Sequence, residues 1–307
     1  MNILIIDGNN LGHRGYNTQP LSHNGVRTEV MYMGITMLRS YIDQFLPDEC
    51  IVCWDSGRDK DRLAIYPEYK AKTKKYTLEE EVEFKEFIAQ MTRLQDMVKV
   101  FRIPQFRLKG READDLIYSL IHHRKQKDPD AKFFVISTDK DFFQLFEHWD
   151  DTVVYNPISK KCFGANHLSE VLDIPPDYFV MYKAFIGDPS DNIPGIKGIG
   201  PKKAAKLING LFFNKFELKK KELDFFDKAL AENDDLMSMM MELIRFKLFN
   251  KDEIIKGFID NSLVDATILT QEVTDLFTAY GFERYLSNLD SFTEPFNELL
   301  RKRIEHC

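Results

Sequence analysis

The chain has 307 residues, 44% hydrophobic and 30% charged, with 49 acids against 42 bases and a formal net charge of −7. That balance describes an ordinary globular protein of one or two domains and excludes a disordered one. No run approaches the roughly 18 apolar residues of a membrane span, and MNILIIDGNN has no basic segment ahead of its short apolar run, so neither export nor a membrane partner is expected.

In chain order, NILIID predicts a short buried strand ending at Asp7, with Gly8, Asn9 and Asn10 turning the chain. A helix is expected over 28–46, then a second buried strand, CIVCW, ending at Asp55. Cys50 and Cys53 form a CxxC inside that apolar run; no second CxxC or histidine pair completes a zinc tetrad, and with Cys162 and Cys307 they read as thiols of a reducing cytoplasm. Residues 56–75 lack periodicity. Residues 58–75 carry Arg58, Lys60, Arg62, Lys70, Lys72, Lys74 and Lys75 against Asp59, Asp61 and Glu68, a local excess of four positive charges. From Thr77 a long amphipathic helix is expected, capped by Thr77 with Glu80 and striped by Phe84, Phe87, Ile88, Met91, Leu94 and Val98.

A helix from about Glu112 buries Ala113, Leu116, Ile117 and Leu120; KFFVIS predicts a third strand leading into TDKD and a short helix, and TVVY a fourth. Beyond Pro175 strand signals nearly vanish, and Leu236, Met239, Met240 and Leu243 stand at helical spacing as core. Strands alternating with helices, then helices alone, predict a parallel α/β domain over 1–175 and a helical C-terminal region over 176–307.

Ligands of an open α/β sheet gather outside the carboxyl ends of its strands, where Asp7, Asp55 and the pair Asp139 and Asp141 are expected. GREADD adds Glu112, Asp114 and Asp115 at a helix start, and GDPSD adds Asp188 and Asp191. Each alone has a bland role as a turn former or helix cap. Nine carboxylates from five segments would repel one another unless cations neutralise them, and an oxygen-only set without His or Cys favours two or more hard ions, Mg²⁺ or Mn²⁺. Without those nine, 40 acids stand against 42 bases, so the remaining surface admits a nucleic-acid partner. Directly after GDPSD comes an acid-free run, NIPGIKGIGPKKA, whose glycines and lysines suit an anion.

The segments IIDGNNLGHR, WDSG, YPEYKAK, GREADD, STDKDFFQL and GDPSDNIPGIKGIGPKKA, in this order over about residues 3–206, resemble the flap endonuclease family, the 5′-nucleases that occur as phage exonucleases and as the N-terminal domain of bacterial DNA polymerase I. The resemblance implies a PIN-like parallel sheet flanked by helices, a helical arch inserted at about 56–104, and a helix-hairpin-helix at about 187–210. It implies metal-dependent hydrolysis of phosphodiester bonds in DNA with a 5′ flap, a nick or a free 5′ end, or of an RNA primer in an RNA–DNA hybrid, by a cytoplasmic monomer.

It maps the metal ions onto the nine acids named above, with Asp7 and Asp141 among the catalytic set. Lys70 and Arg62 fall at the base of the arch, where Lys70 would stabilise developing charge. DNA contacts map onto Arg14, Tyr69, Lys70, Lys72 and Lys74, with Tyr69 stacking on a base. In the hairpin they map onto Gly195, Lys197, Gly198, Gly200, Lys202 and Lys203, with K⁺ as an additional ion on its carbonyls. Thr73 stands where relatives usually carry arginine, and Lys203 where threonine is common. Two rivals are weaker. A non-catalytic junction-binding module would not need the acids, and a phosphatase of the haloacid dehalogenase type wants a second aspartate where Asn9 stands.

Overall fold

Short apolar runs bounded by turn formers set the strands, and those apolar on both faces can only be covered from both sides. In the computed structural model, which describes residues 1–71, 77–213, 218–259 and 270–305, the chain opens with β1 (Asn2–Asp7), α1 (Gly8–Tyr16), the small ribbon β2 (Ser22–His23) and β3 (Val26–Arg27), α2 (Glu29–Phe45) and β4 (Glu49–Cys53). Next come α3 (Lys60–Ile65), α4 (Leu78–Val100), β5 (Gln105–Phe106), α5 (Ala113–Lys127) and β6 (Lys132–Ile136). A 3-10 helix (Lys140–Glu147) precedes β7 (Val153–Asn156), β8 (Lys161–Phe163) and α6 (Ala165–Leu172). Then follow α7 (Phe179–Ile186), α8 (Pro201–Phe213), α9 (Lys220–Ala231) and α10 (Asp234–Ile244). The chain closes with α11 (Lys251–Gly257), β9 (Phe258–Ile259), α12 (Thr270–Ala279), α13 (Glu283–Leu286) and α14 (Leu289–Glu305).

Two compact units result. One gathers Met1–Ser56, Lys74–Ser137 and Leu248–Cys307; the other holds Gly57–Thr73 and Thr138–Lys247. By contact, the described C-terminal residues from 248 on group with the N-terminal α/β unit. Strand structure also recurs late, as β9. No described helix is long and apolar enough to cross a membrane.

In the first unit β1 lies between two parallel neighbours, β4 and β6, with Ile5 beside Ile51 and Val135. The order is β6–β1–β4–β5–β9, only β9 running antiparallel. Ile3 to Ile6 are fully buried. α1 and α2 approach α4 closely: a Cβ on Gly12 or Gly34 would meet the side chains of Met91 and Leu94. The α4 stripe is shorter than its periodicity predicts. Phe87, Met91, Leu94 and Val98 are buried, but Phe84 and Ile88 in the N-terminal half are exposed, as are Leu78 and Val82. Phe101, Phe277, Phe292 and Phe296 form an aromatic cluster joining the end of α4 to the C-terminal helices.

The second unit is the antiparallel hairpin β7–β8 with α3 and α6–α10. Its core includes Phe142, Phe179, Phe185, Leu207, Met240 and Leu243. The Met239 expected in that core is only half-buried, whereas Met237 is buried.

One buried polar network fastens the first unit. Glu29, fully buried, accepts from Gln90 of α4 (3.0 Å), from the Leu21 amide (3.2 Å) and from Arg27 (2.5 Å), while Gln90 accepts from the Val30 amide (3.1 Å). Removing one partner of a buried charged pair strands the other. Glu29→Ala is expected to cost about 3 kcal/mol of unfolding free energy; chemical denaturation reads this directly, and a loss under about 0.5 kcal/mol would show the network to be incidental.

Candidate metal centre

Five of the predicted acids lie in the first unit. Because β1 and β4 pair in register, with Asp7 beside Cys53, their carboxyl ends finish together and bring Asp7 and Asp55 to one edge of the sheet. Asp7 caps α1: it accepts from the Asn10 amide (3.0 Å) and the Ser137 hydroxyl (2.7 Å). Asp55 accepts from the Ala113 amide at the start of α5 (2.7 Å) and from the Asn9 side chain (2.8 Å). It thereby fixes the helix that carries Asp114 and Asp115 in its first turn, with Glu112 just before it. Glu112 and Asp115 are buried. Burial, with the charges of Asp7 and Asp114 adding, pushes the buried Cys53 thiol well above its ordinary range, so that thiol is inert.

The other four acids lie in the second unit, and three of them meet. Carboxylate oxygens of Asp141, Asp188 and Asp191 all fall within 4.8 Å of one another. Asp139 caps the 3-10 helix by accepting from the Asp141 amide (2.8 Å), which aims Asp141. GDPSD closes on itself: Asp188 and Ile193 exchange backbone hydrogen bonds (2.9 and 2.8 Å), and Asp188 accepts from the Ser190 amide (2.9 Å).

Between the acids stands a residue the motif reading did not single out. Lys183 places its ammonium 2.6 Å from Asp141 Oδ1 and 2.7 Å from Asp188 Oδ2, with its side chain 14% exposed. The available signal was a lone lysine in the apolar octet FVMYKAFI, five residues before Asp188; a buried charge of that kind needs a partner.

Burial and neighbouring charges shift the proton affinities of the cluster in opposite directions. Burial, with Asp139 adding, pushes the Asp141 carboxyl up to about 6 despite Lys183. Burial also acts to raise Asp188, but hydrogen bonds from Lys183 and Ser190 outweigh it and hold that group low. Burial opposes the charge on Lys183, yet Asp141 and Asp188 keep its ammonium firmly protonated. An all-oxygen set this close, still holding one carboxyl high after a lysine has entered, fits a hard divalent cation.

Lys70 borders the same cluster. Its amide donates to the Asp191 carbonyl (2.9 Å), its ammonium lies 3.6 Å from Asp191 Oδ2, and its backbone is left-handed (φ 50°). Asn192, also left-handed, donates to the Glu68 carbonyl (2.9 Å), so the 66–71 turn and the acid turn are stitched together. A left-handed non-glycine residue beside a cluster of acids is the kind of strain that gathers at functional sites.

Two of the expected site residues are buried. Arg62 is 2% exposed, with its guanidinium donating to the carbonyls of Leu243 (2.8 Å) and Arg245 (3.1 Å), and so braces α3 on α10. Tyr69 is likewise 2% exposed, and its hydroxyl, 3.3 Å from Asp191 Oδ2, supports the acid turn. Arg14, half-buried, donates to the Tyr41 hydroxyl. Gly195 is required because its Cβ would stand 2.5 Å from the Ile186 backbone, whereas Gly198 has φ 86° and Gly200 is open. Lys197, Lys202 and Lys203 are exposed. Lys72, Thr73, Lys74 and Cys307 lie outside the described residues.

With this geometry the comparisons converge. The chain matches the family model described as 5′-3′ exonuclease, N-terminal resolvase-like domain over residues 2–173, and the 5′-3′ exonuclease C-terminal SAM fold over 174–249. It belongs to the 5′-3′ exonuclease family. A 5′-3′ exonuclease of Aquifex aeolicus is 30% identical over 208 residues, 67% of this chain and 68% of that protein. DNA polymerase I of Caldicellulosiruptor bescii is 29% identical over 280 residues, 83% of this chain and 32% of that protein; the chain spans about a third of the length of such polymerase relatives. In fold it is similar to a bacteriophage T5 flap endonuclease, seen with metal ions (TM-score 0.66, 22% identity, 97% of this chain and 99% of that one) and in a complex with DNA and metal ions (TM-score 0.65).

A raised carboxyl has a defined signature in stability. Asp141 binds its proton more tightly folded than unfolded, so its contribution is present at low pH and is lost as pH rises through about 6. In chelator, Asp141→Asn is expected to be more stable than the parent at pH 7 by on the order of 1–3 kcal/mol, with the gap closing by pH 4. Urea denaturation at both pH values measures this; a gap independent of pH would show that Asp141 is not strained by its neighbours.

Proposed function

We propose that this chain is a Mg²⁺- or Mn²⁺-dependent 5′-nuclease that hydrolyses phosphodiester bonds in DNA bearing a 5′ flap, a nick or a free 5′ end, or in the RNA strand of an RNA–DNA hybrid. The observation that carries the reading is the cluster Asp141, Asp188 and Asp191, bridged by Lys183 and bordered by Lys70. The 5′-3′ exonuclease family and the DNA and metal ions of the T5 relative support it.

In this reading Asp141, Asp188 and Asp191 hold a divalent ion, and the strand-end acids Asp7, Asp55, Glu112, Asp114 and Asp115 form a further oxygen-ligand group in the first unit. A bound ion would polarise the phosphoryl oxygens and offset their charge. Lys183 keeps the acids of the second unit ionised and together until the ion enters. Lys70, fixed by the left-handed turn and the Asp191 carbonyl, presents its ammonium to a phosphate and stabilises the charge that develops there. The hairpin 195–200 and the start of α8 approach the duplex phosphates, with Lys197 and Lys202 adding charge without reading sequence.

End-labelled flap, nicked and single-stranded DNAs, incubated with and without Mg²⁺, give the test. Cleavage is expected only with the metal. Asp188→Asn and Lys70→Ala are each expected to lower the single-turnover rate by about 10²-fold or more while leaving flap affinity in Ca²⁺ within about threefold. Cleavage persisting in excess chelator, or near-parental rates in Asp188→Asn, would overturn the proposal.

A further inference from the structure

The hairpin places a cation on its own carbonyl. Lys203, in the first turn of α8, donates from its ammonium to the Gly198 carbonyl at 2.8 Å, and the same ammonium lies 4.7 Å from the centre of the Phe225 ring. The geometry is built by the chain's path. α9 runs back along α8: Leu218 packs against Gly210, Glu222 pairs with Lys206, and Phe225 reaches Gly198, where an added Cβ would touch its ring at 3.4 Å. A lysine in the first turn of a helix opposes the macrodipole. Here the carbonyl on one side and the electron-rich ring face on the other offset that penalty.

The family resemblance implies K⁺ on the hairpin carbonyls. The residues present do not fit an added ion at Gly198, since its carbonyl oxygen already accepts from an ammonium with an aromatic ring against it. We propose that Lys203 is the resident cation of this hairpin, held by Gly198 and positioned by Phe225, so that phosphate binding does not depend on which monovalent cation the solution supplies. The proposal rests on the reading that the hairpin binds duplex phosphate. Both lysines are exposed, but Lys203 is tied to the Gly198 carbonyl and the Phe225 ring, whereas Lys202 contributes diffuse charge.

The test is fluorescence-anisotropy binding of a 5′-flap DNA in Ca²⁺, at one ionic strength, in K⁺ and in tetramethylammonium chloride. The parent chain is expected to bind within about twofold in the two salts. Lys203→Thr is expected to bind about tenfold more weakly in tetramethylammonium, with K⁺ restoring much of the loss. Phe225→Leu should lie between them, and Lys202→Thr should weaken binding equally in both salts. Circular dichroism and thermal melting confirm that each variant is folded. A parent chain that itself loses about tenfold when K⁺ is withdrawn overturns the proposal. So does a Lys203→Thr variant that binds as the parent does, or one that weakens equally in both salts, since Lys203 would then be an ordinary phosphate contact. If the parent binds no flap in either salt, the duplex-binding reading itself fails, and this result is distinct from the others.

Discussion

Three aspartate carboxylates within 4.8 Å of one another cannot all stay ionised in a half-buried site without a counter-charge, and Lys183 supplies it. Much of the second unit's local geometry follows. The 3-10 helix carries its capping Asp139 so that Asp141 points at the lysine. GDPSD folds back through the Asp188–Ile193 pair so that Asp188 reaches the same ammonium. The turn bearing Lys70 adopts a left-handed residue to dock on Asp191. A lysine is a provisional solution to such a cluster. It offers one positive charge and three donors, where a divalent ion offers twice the charge to every oxygen at once.

The acid turn and the hairpin are one mechanical piece. Gly195 packs against the backbone of residues 186 and 187 so closely that any side chain would collide, and the Ile196 amide donates to the Phe185 carbonyl at 2.9 Å. Movement of the hairpin therefore pulls on the end of α7, three residues from Lys183. The anion-seeking and cation-seeking halves of residues 187–204 are thus linked by steric contact as well as by sequence. A hairpin backbone fixed in place would constrain where the acids of the other half stand.

Much of this was legible in the sequence because the signals were local. Asp7 and Asp55 announce themselves as the ends of apolar runs, and Thr77 with Glu80 forms the capping box that periodicity places there. What sequence left out depended on contacts between distant segments. Arg62 and Tyr69 read as residues at the base of an arch, and sequence spacing says nothing of the Leu243 and Arg245 carbonyls that meet the arginine or of Asp191 at the tyrosine hydroxyl. Lys183 was passed over because helical patterning looks for apolar periodicity, and an isolated charge registers only as noise until its partners, 42 residues upstream and five downstream, are in place. The α4 stripe was overextended for the same reason: periodicity defines a face, and only neighbours decide how much of it is covered.

If Asp141, Asp188 and Asp191 form a metal centre, Lys183 holds the place of the ion. Anomalous diffraction from crystals soaked in Mn²⁺ tests it most directly. The account predicts a peak bounded by oxygens of all three aspartates, with the Lys183 ammonium withdrawn from Asp141, Asp188 or both. No peak at that position under saturating Mn²⁺, with Lys183 still bridging the two carboxylates, would contradict it.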